Sequence, residues 1–128
     1  MIIIDGLFVF CLQCEPYHMG ESIGEFEQLI LFAVIRLDAG ASAVTVRQEI
    51  EARTGRTISS GALYTALDRM ESRGLLSSRL GEPTPERGGK RKRLYTIEPA
   101  GARALTRSYE AIRKMASGMN ARLQALLP

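Results

Sequence analysis

With 128 residues, 45% of them hydrophobic, the chain is long enough for one compact domain plus an arm or tail and too short for two domains. Two cysteines exclude a disulfide framework. The net charge of +3 is unevenly spread: residues 1 to 35 hold five acids and no Lys or Arg, while residues 36 to 128 hold all 17 basic residues against nine acids, a net of +8. That asymmetry points to a body that binds a polyanion.

The first eighteen residues differ in composition from the rest. The run Met1-Ile2-Ile3-Ile4-Asp5-Gly6-Leu7-Phe8-Val9-Phe10-Cys11-Leu12 is apolar. It lacks a basic n-region and is too short and interrupted to span a bilayer, so the reading is a cytoplasmic protein. Met19-Gly20-Glu21-Ser22 reads as a natural start, because the amphipathic pattern begins just after it. The preceding segment is then either an upstream misreading of the start or a loosely attached arm; the competing reading pairs its apolar run with the body or with a second subunit. Cys11-x-x-Cys14 followed by His18 has metal-like spacing, but a closed zinc site wants four ligands and the chain has no further Cys or His. A redox CxxC opens a helix inside a βαβ unit, and no such pattern surrounds this one. No metal and no cofactor is expected.

A first helix is expected over residues 25 to 38, with Phe26, Leu29, Ile30, Ala33, Val34 and Leu37 on one face and Asp38-Ala39-Gly40 ending it. Val44 to Thr54 form a second helix that turns Val46 and Ile50 inward and stops at Gly55, where glycine tolerates the left-handed C′ geometry. Ser59 or Ser60 then caps a third helix that runs to Gly74. Leu63, Ala66, Leu67 and Met70 share its inner face. Its outer face carries Gly61, Thr65, Asp68 and Ser72 flanked by Tyr64 and Arg69, with no large aliphatic residue. A major groove admits such a helix, and Ser, Thr and Arg reach base edges. Asp68 would repel phosphate, so the N-terminal half of the helix is the part expected to enter the groove.

Leu76, Ser78 and Leu80 alternate with Ser77 and Arg79 as a strand. Gly81 to Glu86 make a rigid, non-helical lead, Gly88-Gly89 make the turn, and Arg93, Tyr95 and Ile97 alternate with Leu94 and Thr96 on the return. Five of the seven residues from Arg87 to Arg93 are positive, and phosphate or the minor groove would satisfy them. The last helix starts at Pro99, a favoured first-turn residue, and is expected to reach about Leu126. Leu105, Tyr109, Ile112, Ala116, Met119, Leu123 and Leu126 are spaced as a heptad seam, interrupted by Ser117-Gly118. The seam is expected to pack on the same helix of a second subunit.

These elements make an α+β winged helix-turn-helix, mainly α, with a two-stranded wing and a long C-terminal dimerisation helix. The expected division is an arm over 1–20, the DNA-binding domain over 21–98 and the dimerisation helix over 99–128. In this order and spacing, Gly61-Ala62-Leu63-Tyr64-Thr65-Ala66-Leu67-Asp68-Arg69-Met70-Glu71, Gly74-Leu75-Leu76, Gly88-Gly89-Lys90-Arg91-Lys92-Arg93-Leu94-Tyr95 and Pro99-Ala100-Gly101 resemble the PadR-like family of bacterial transcriptional regulators over about residues 20 to 125. The resemblance implies a homodimer on a palindromic operator, usually a repressor of its own promoter or of a neighbouring transporter or stress operon. It implies DNA contacts at Ser59, Ser60, Tyr64 and Thr65, wing contacts at Lys90 and Arg91, and a structural Tyr95 between wing and core. The single short C-terminal helix resembles the family's compact subgroup. Ser42-Ala43-Val44-Thr45 departs from the family's Gly-Tyr opening of the second helix, and Glu98 replaces a common Thr before Pro99. Some members lose DNA affinity when a small molecule binds, but with no Trp this chain cannot form the indole stacking pair that takes flat aromatic drugs in some compact members.

The expected DNA-facing set is therefore Ser59, Ser60, Gly61, Tyr64, Thr65 and Arg69 on the third helix, with Lys90, Arg91 and Lys92 on the wing. The alternative is a winged-helix interaction module that binds a protein partner and no specific DNA. An enzyme is not expected: no Ser/His/Asp set, phosphate-cradling loop or paired carboxylates occur at useful spacing. The operator, the regulated genes, the sign of regulation and the existence of an effector stay open.

Overall fold

The computed structural model describes residues 22–83 and 91–128. The expected N-terminal arm, with Cys11, Cys14 and His18, lies outside the described residues, as do Arg87, the Gly88-Gly89 turn and Lys90. Helices α1 (Glu25–Leu37), α2 (Ala43–Thr54) and α3 (Ser60–Ser72) are followed by strands β1 (Leu76–Pro83) and β2 (Arg91–Ile97), then helices α4 (Pro99–Ala116) and α5 (Asn120–Leu126). A single 3-10 turn, Asp38–Gly40, joins α1 to α2. The winged helix-turn-helix read from the sequence is the fold observed.

α1 is the central support and packs on α2, α4 and β2. Its apolar stripe is broader than the periodicity indicated. Leu31 is fully buried beside Ile30, Ala33 and Val34, whereas Phe26, Leu29 and Leu37 are half-buried against the core's edge. Val46 and Ile50 from α2, Leu63, Leu67 and Met70 from α3, and Leu76 and Tyr95 from the strands complete that core.

α2 begins one residue earlier than expected, because Ser42 and Thr45 cap it reciprocally. The Ser42 N–H donates to Thr45 Oγ1 at 2.8 Å and the Thr45 N–H donates to Ser42 Oγ at 3.3 Å. Thr here takes the part that Glu or Gln plays in the usual capping box. Ser42→Ala removes the acceptor at a buried site and is expected to cost about 1 kcal/mol, a fall in Tm of about 4–8 °C in a thermal melt.

The two strands pair antiparallel, with Leu76 opposite Ile97, Ser78 opposite Tyr95 and Leu80 opposite Arg93. Both run further than the alternation indicated. An irregularity between Leu80 and Pro83 absorbs Gly81 and Glu82, and Pro83 pairs with Arg91. Extra residues of that kind are taken up by a bulge, and a proline is tolerated at a strand end. The Tyr95 N–H donates to the Ala41 carbonyl at 2.7 Å, so the entry to α2 lies along β2 and anchors the wing's root.

The single C-terminal helix expected to reach Leu126 is two helices. Ser117 leaves helical geometry at ψ 127°, and Gly118 takes a left-handed φ of 76°, a conformation glycine adopts without the Cβ penalty. The break falls inside the expected heptad seam. The first seam residue, Leu105, belongs to the domain's own core at 5% exposure, and Tyr109 meets Phe32 of α1 edge-to-face at 5.7 Å between ring centroids. Further along, Ile112, Ala116, Leu123 and Leu126 are exposed, with Met119 half-buried at the α5 N-cap.

Candidate nucleic-acid interface

The turn between α2 and α3 sets how α3 is presented. Ile58 is buried at its centre, and its N–H donates to Glu51 Oε2 at 2.9 Å. Ser59 is the N-cap of α3: its Oγ accepts from the Ala62 N–H at 3.1 Å. Ser60 is the first helical residue, and its Oγ accepts from Arg47 Nη1 of α2 at 3.0 Å. Ser59, Ser60, Gly61, Tyr64, Thr65 and Arg69 are all exposed, and Tyr64 shows 51% of its surface. A tyrosine that open, on a helix whose other side is fully buried, is available to a partner.

The wing stands beside this face. Ser42 and Val44 at the start of α2, Tyr64 and Asp68 of α3, and Arg91, Lys92 and Arg93 of β2 line one cleft of about 260 Å³, with Tyr95 behind them. Arg91 is exposed and Lys92 half-buried. Arg93 is held back on the sheet: its Nη1 donates to Ser78 Oγ at 3.0 Å, and Ser78 Oγ donates to Glu71 Oε2 at 2.8 Å. This chain ties the wing to the last turn of α3. Asp68 shares the cleft with the wing's cations, a juxtaposition the helical wheel alone did not reveal. Burial pushes the Tyr95 phenol above its ordinary range; Asp68 and Glu71 reinforce the shift and Arg93 opposes it. Tyr95 is therefore a neutral packing group between wing and core, as the resemblance implied.

Among the described residues no group of three or more His, Cys, Asp or Glu could hold a metal ion, and no helix is long and apolar enough to cross a membrane.

A helix-turn-helix with an exposed polar third helix and a cationic antiparallel wing defines a winged-helix protein of the nucleic-acid-binding kind. The sequence profile described as the transcriptional regulator PadR-like family matches residues 34–107, and the chain belongs to that family. Among solved structures it is similar to a PadR family transcription regulator from hypervirulent Clostridium difficile R20291, with a TM-score of 0.63, 24% identity, and 78% of this chain and 99% of that one covered. It is also similar to a PadR-like transcriptional regulator from Bacillus cereus strain ATCC 14579, with a TM-score of 0.64, 18% identity and coverages of 86% and 98%. A transcriptional regulator from Clostridium thermocellum aligns with a TM-score of 0.60 at 24% identity, covering 74% of this chain and 89% of that one. At these identities the likeness is one of fold. No curated protein matches the chain in sequence.

Proposed function

We propose that this PadR-like regulator is a cytoplasmic homodimeric repressor that binds a palindromic operator at its own or a neighbouring promoter. The observation that carries the reading is the convergence of the open face of α3 and the cations of β2 on one cleft. In a dimer, two copies of α3 would enter successive major grooves about 34 Å apart. Ser59, Ser60, Gly61, Tyr64, Thr65 and Arg69 would face the groove, while Lys90, Arg91 and Lys92 would hold the flanking backbone.

The dimer surface proposed is the outer half of α4 together with α5. Ile112 is 62% exposed and Met115 81%, and Leu123 and Leu126 are also open. Large apolar side chains left open to water on two successive helices mark a candidate site of association. Tyr109 lies at its inner edge, where the domain core ends.

The test is fluorescence anisotropy of the purified protein on its own upstream DNA and on scrambled DNA of equal length, at two salt concentrations. Tight, salt-dependent binding with a large preference for the native fragment is expected; equal, weak binding to both would leave only a basic surface. Ile112→Glu is expected to shift the protein to a monomer in sedimentation. It should also weaken operator binding by about 100-fold or more through lost bivalency. A variant that stays dimeric would place the interface elsewhere.

A further inference from the structure

We infer that Arg47 on α2 is a phosphate-binding residue that also positions the start of the recognition helix α3. Three observations carry this inference, which rests on the DNA-binding reading above.

The first is what Arg47 touches. Arg53, Arg56, Arg73 and Arg113 each have a carboxylate oxygen within 4 Å. Arg47 reaches instead across to α3, where its Nη1 donates to the neutral hydroxyl of Ser60. A guanidinium that meets a hydroxyl rather than a carboxylate keeps its full positive charge available to an incoming anion.

The second is its Nε atom. Among the described residues, Arg47 Nε is the buried side-chain nitrogen or oxygen that has no hydrogen-bond partner. Buried polar groups are almost always paired, and one that is not calls for an explanation. Leaving a buried donor unsatisfied is costly, most of all when the group is charged. The present conformation is therefore a parked one. With Nη1 on Ser60, the remaining edge of the guanidinium, Nε–H with Nη2–H, is the fork that grips a phosphate with two parallel hydrogen bonds. A turn of the guanidinium about its bond to Ser60 would uncover the unpaired Nε–H and present that fork.

The third is place. Ser60 is the first residue of α3, the end of the helix proposed to enter the groove, so Arg47 stands where the backbone beside that groove must pass. Nothing in one helix's periodicity shows that the Arg47 side chain crosses to the next helix.

The test compares Arg47→Ala, Arg47→Lys and Arg47→Gln on native and scrambled fragments over a salt series, with thermal melts to establish folding. A phosphate contact predicts that Arg47→Ala weakens both fragments about tenfold per subunit and lowers the slope of log K against log salt by about 0.9 per subunit. Arg47→Lys should restore the slope and part of the affinity. Arg47→Gln, polar but shorter and uncharged, should behave like Arg47→Ala. Rescue by Gln but not Lys would overturn the phosphate contact and leave only a packing role. Loss confined to the native fragment would overturn it in favour of base readout. Wild-type binding with an unchanged slope in folded Arg47→Ala would overturn this inference alone, whereas no DNA binding by the unsubstituted protein would remove the reading beneath it as well.

Discussion

Gly101→Ala is expected to destabilise the domain by about 3 kcal/mol, at the upper end of ordinary overpacking costs, and to lower Tm by at least ~12 °C. Gly101 sits in the first turn of α4, where the helix passes against the end of the α3–β1 connection. A Cβ there would lie 2.2 Å from the Leu75 carbonyl oxygen and 3.1 Å from Ile97 Cγ1. The carbonyl cannot simply yield, since it accepts the Glu98 N–H at 2.9 Å. Ile97 is fixed in turn by pairing with Leu76. In an open helix the same substitution would stabilise by up to about 1 kcal/mol, so the sign of the result decides between propensity and close approach. Gly61 is the internal control. Nothing lies within 4 Å of a Cβ built there, and Gly61→Ala should raise Tm slightly in the same melts. An unchanged or higher Tm for Gly101→Ala would mean that α4 does not approach Leu75 this closely.

The order of elements and the inner face of α3 were legible in the sequence because both depend on local pattern. Leu63, Ala66, Leu67 and Met70 repeat at helical spacing, and all four are buried. Leu31 was missed because it lies beside the apolar stripe of α1, and a helix packed on α2, α4 and β2 buries more than one stripe. Leu105 fits the heptad seam equally well whether a second subunit or the domain's own core covers it; periodicity shows that a face is apolar but not what covers it. The Arg47 to Ser60 and Tyr95 to Ala41 bonds join residues 13 and 54 positions apart. Such contacts leave no periodic trace. Gly101 could be seen as part of a family motif, but the reason for it, a carbonyl 2.2 Å from the missing Cβ, belongs to the tertiary structure.

The division of labour proposed for the interface predicts two different losses. Neutralising Lys90, Arg91 and Lys92 together, each to Gln, should weaken native and scrambled DNA by similar factors. Three phosphate contacts removed would flatten the slope of log K against log salt by about 2.7 per subunit. Folding should be little affected: Arg91 is exposed and Lys92 half-buried, whereas the strut that ties wing to helix runs through Arg93, Ser78 and Glu71, which the variant leaves intact. Tyr64→Ala or Thr65→Ala should instead cost about 1–3 kcal/mol on the native fragment and little on the scrambled one, leaving the salt slope unchanged. Tyr64 and Thr65 can be changed without a core penalty because both lie on the exposed face of α3, opposite Leu67 and Met70. Asp68 sharpens the distinction. Its carboxylate shares the cleft with the wing's cations, so Asp68→Asn should strengthen binding to every fragment by removing a charge that repels phosphate. Competition titrations of these variants on both fragments separate the two roles. Equal loss of specific and non-specific binding in the wing and helix sets alike would show that α3 reads no sequence and that the whole face acts only as a basic surface.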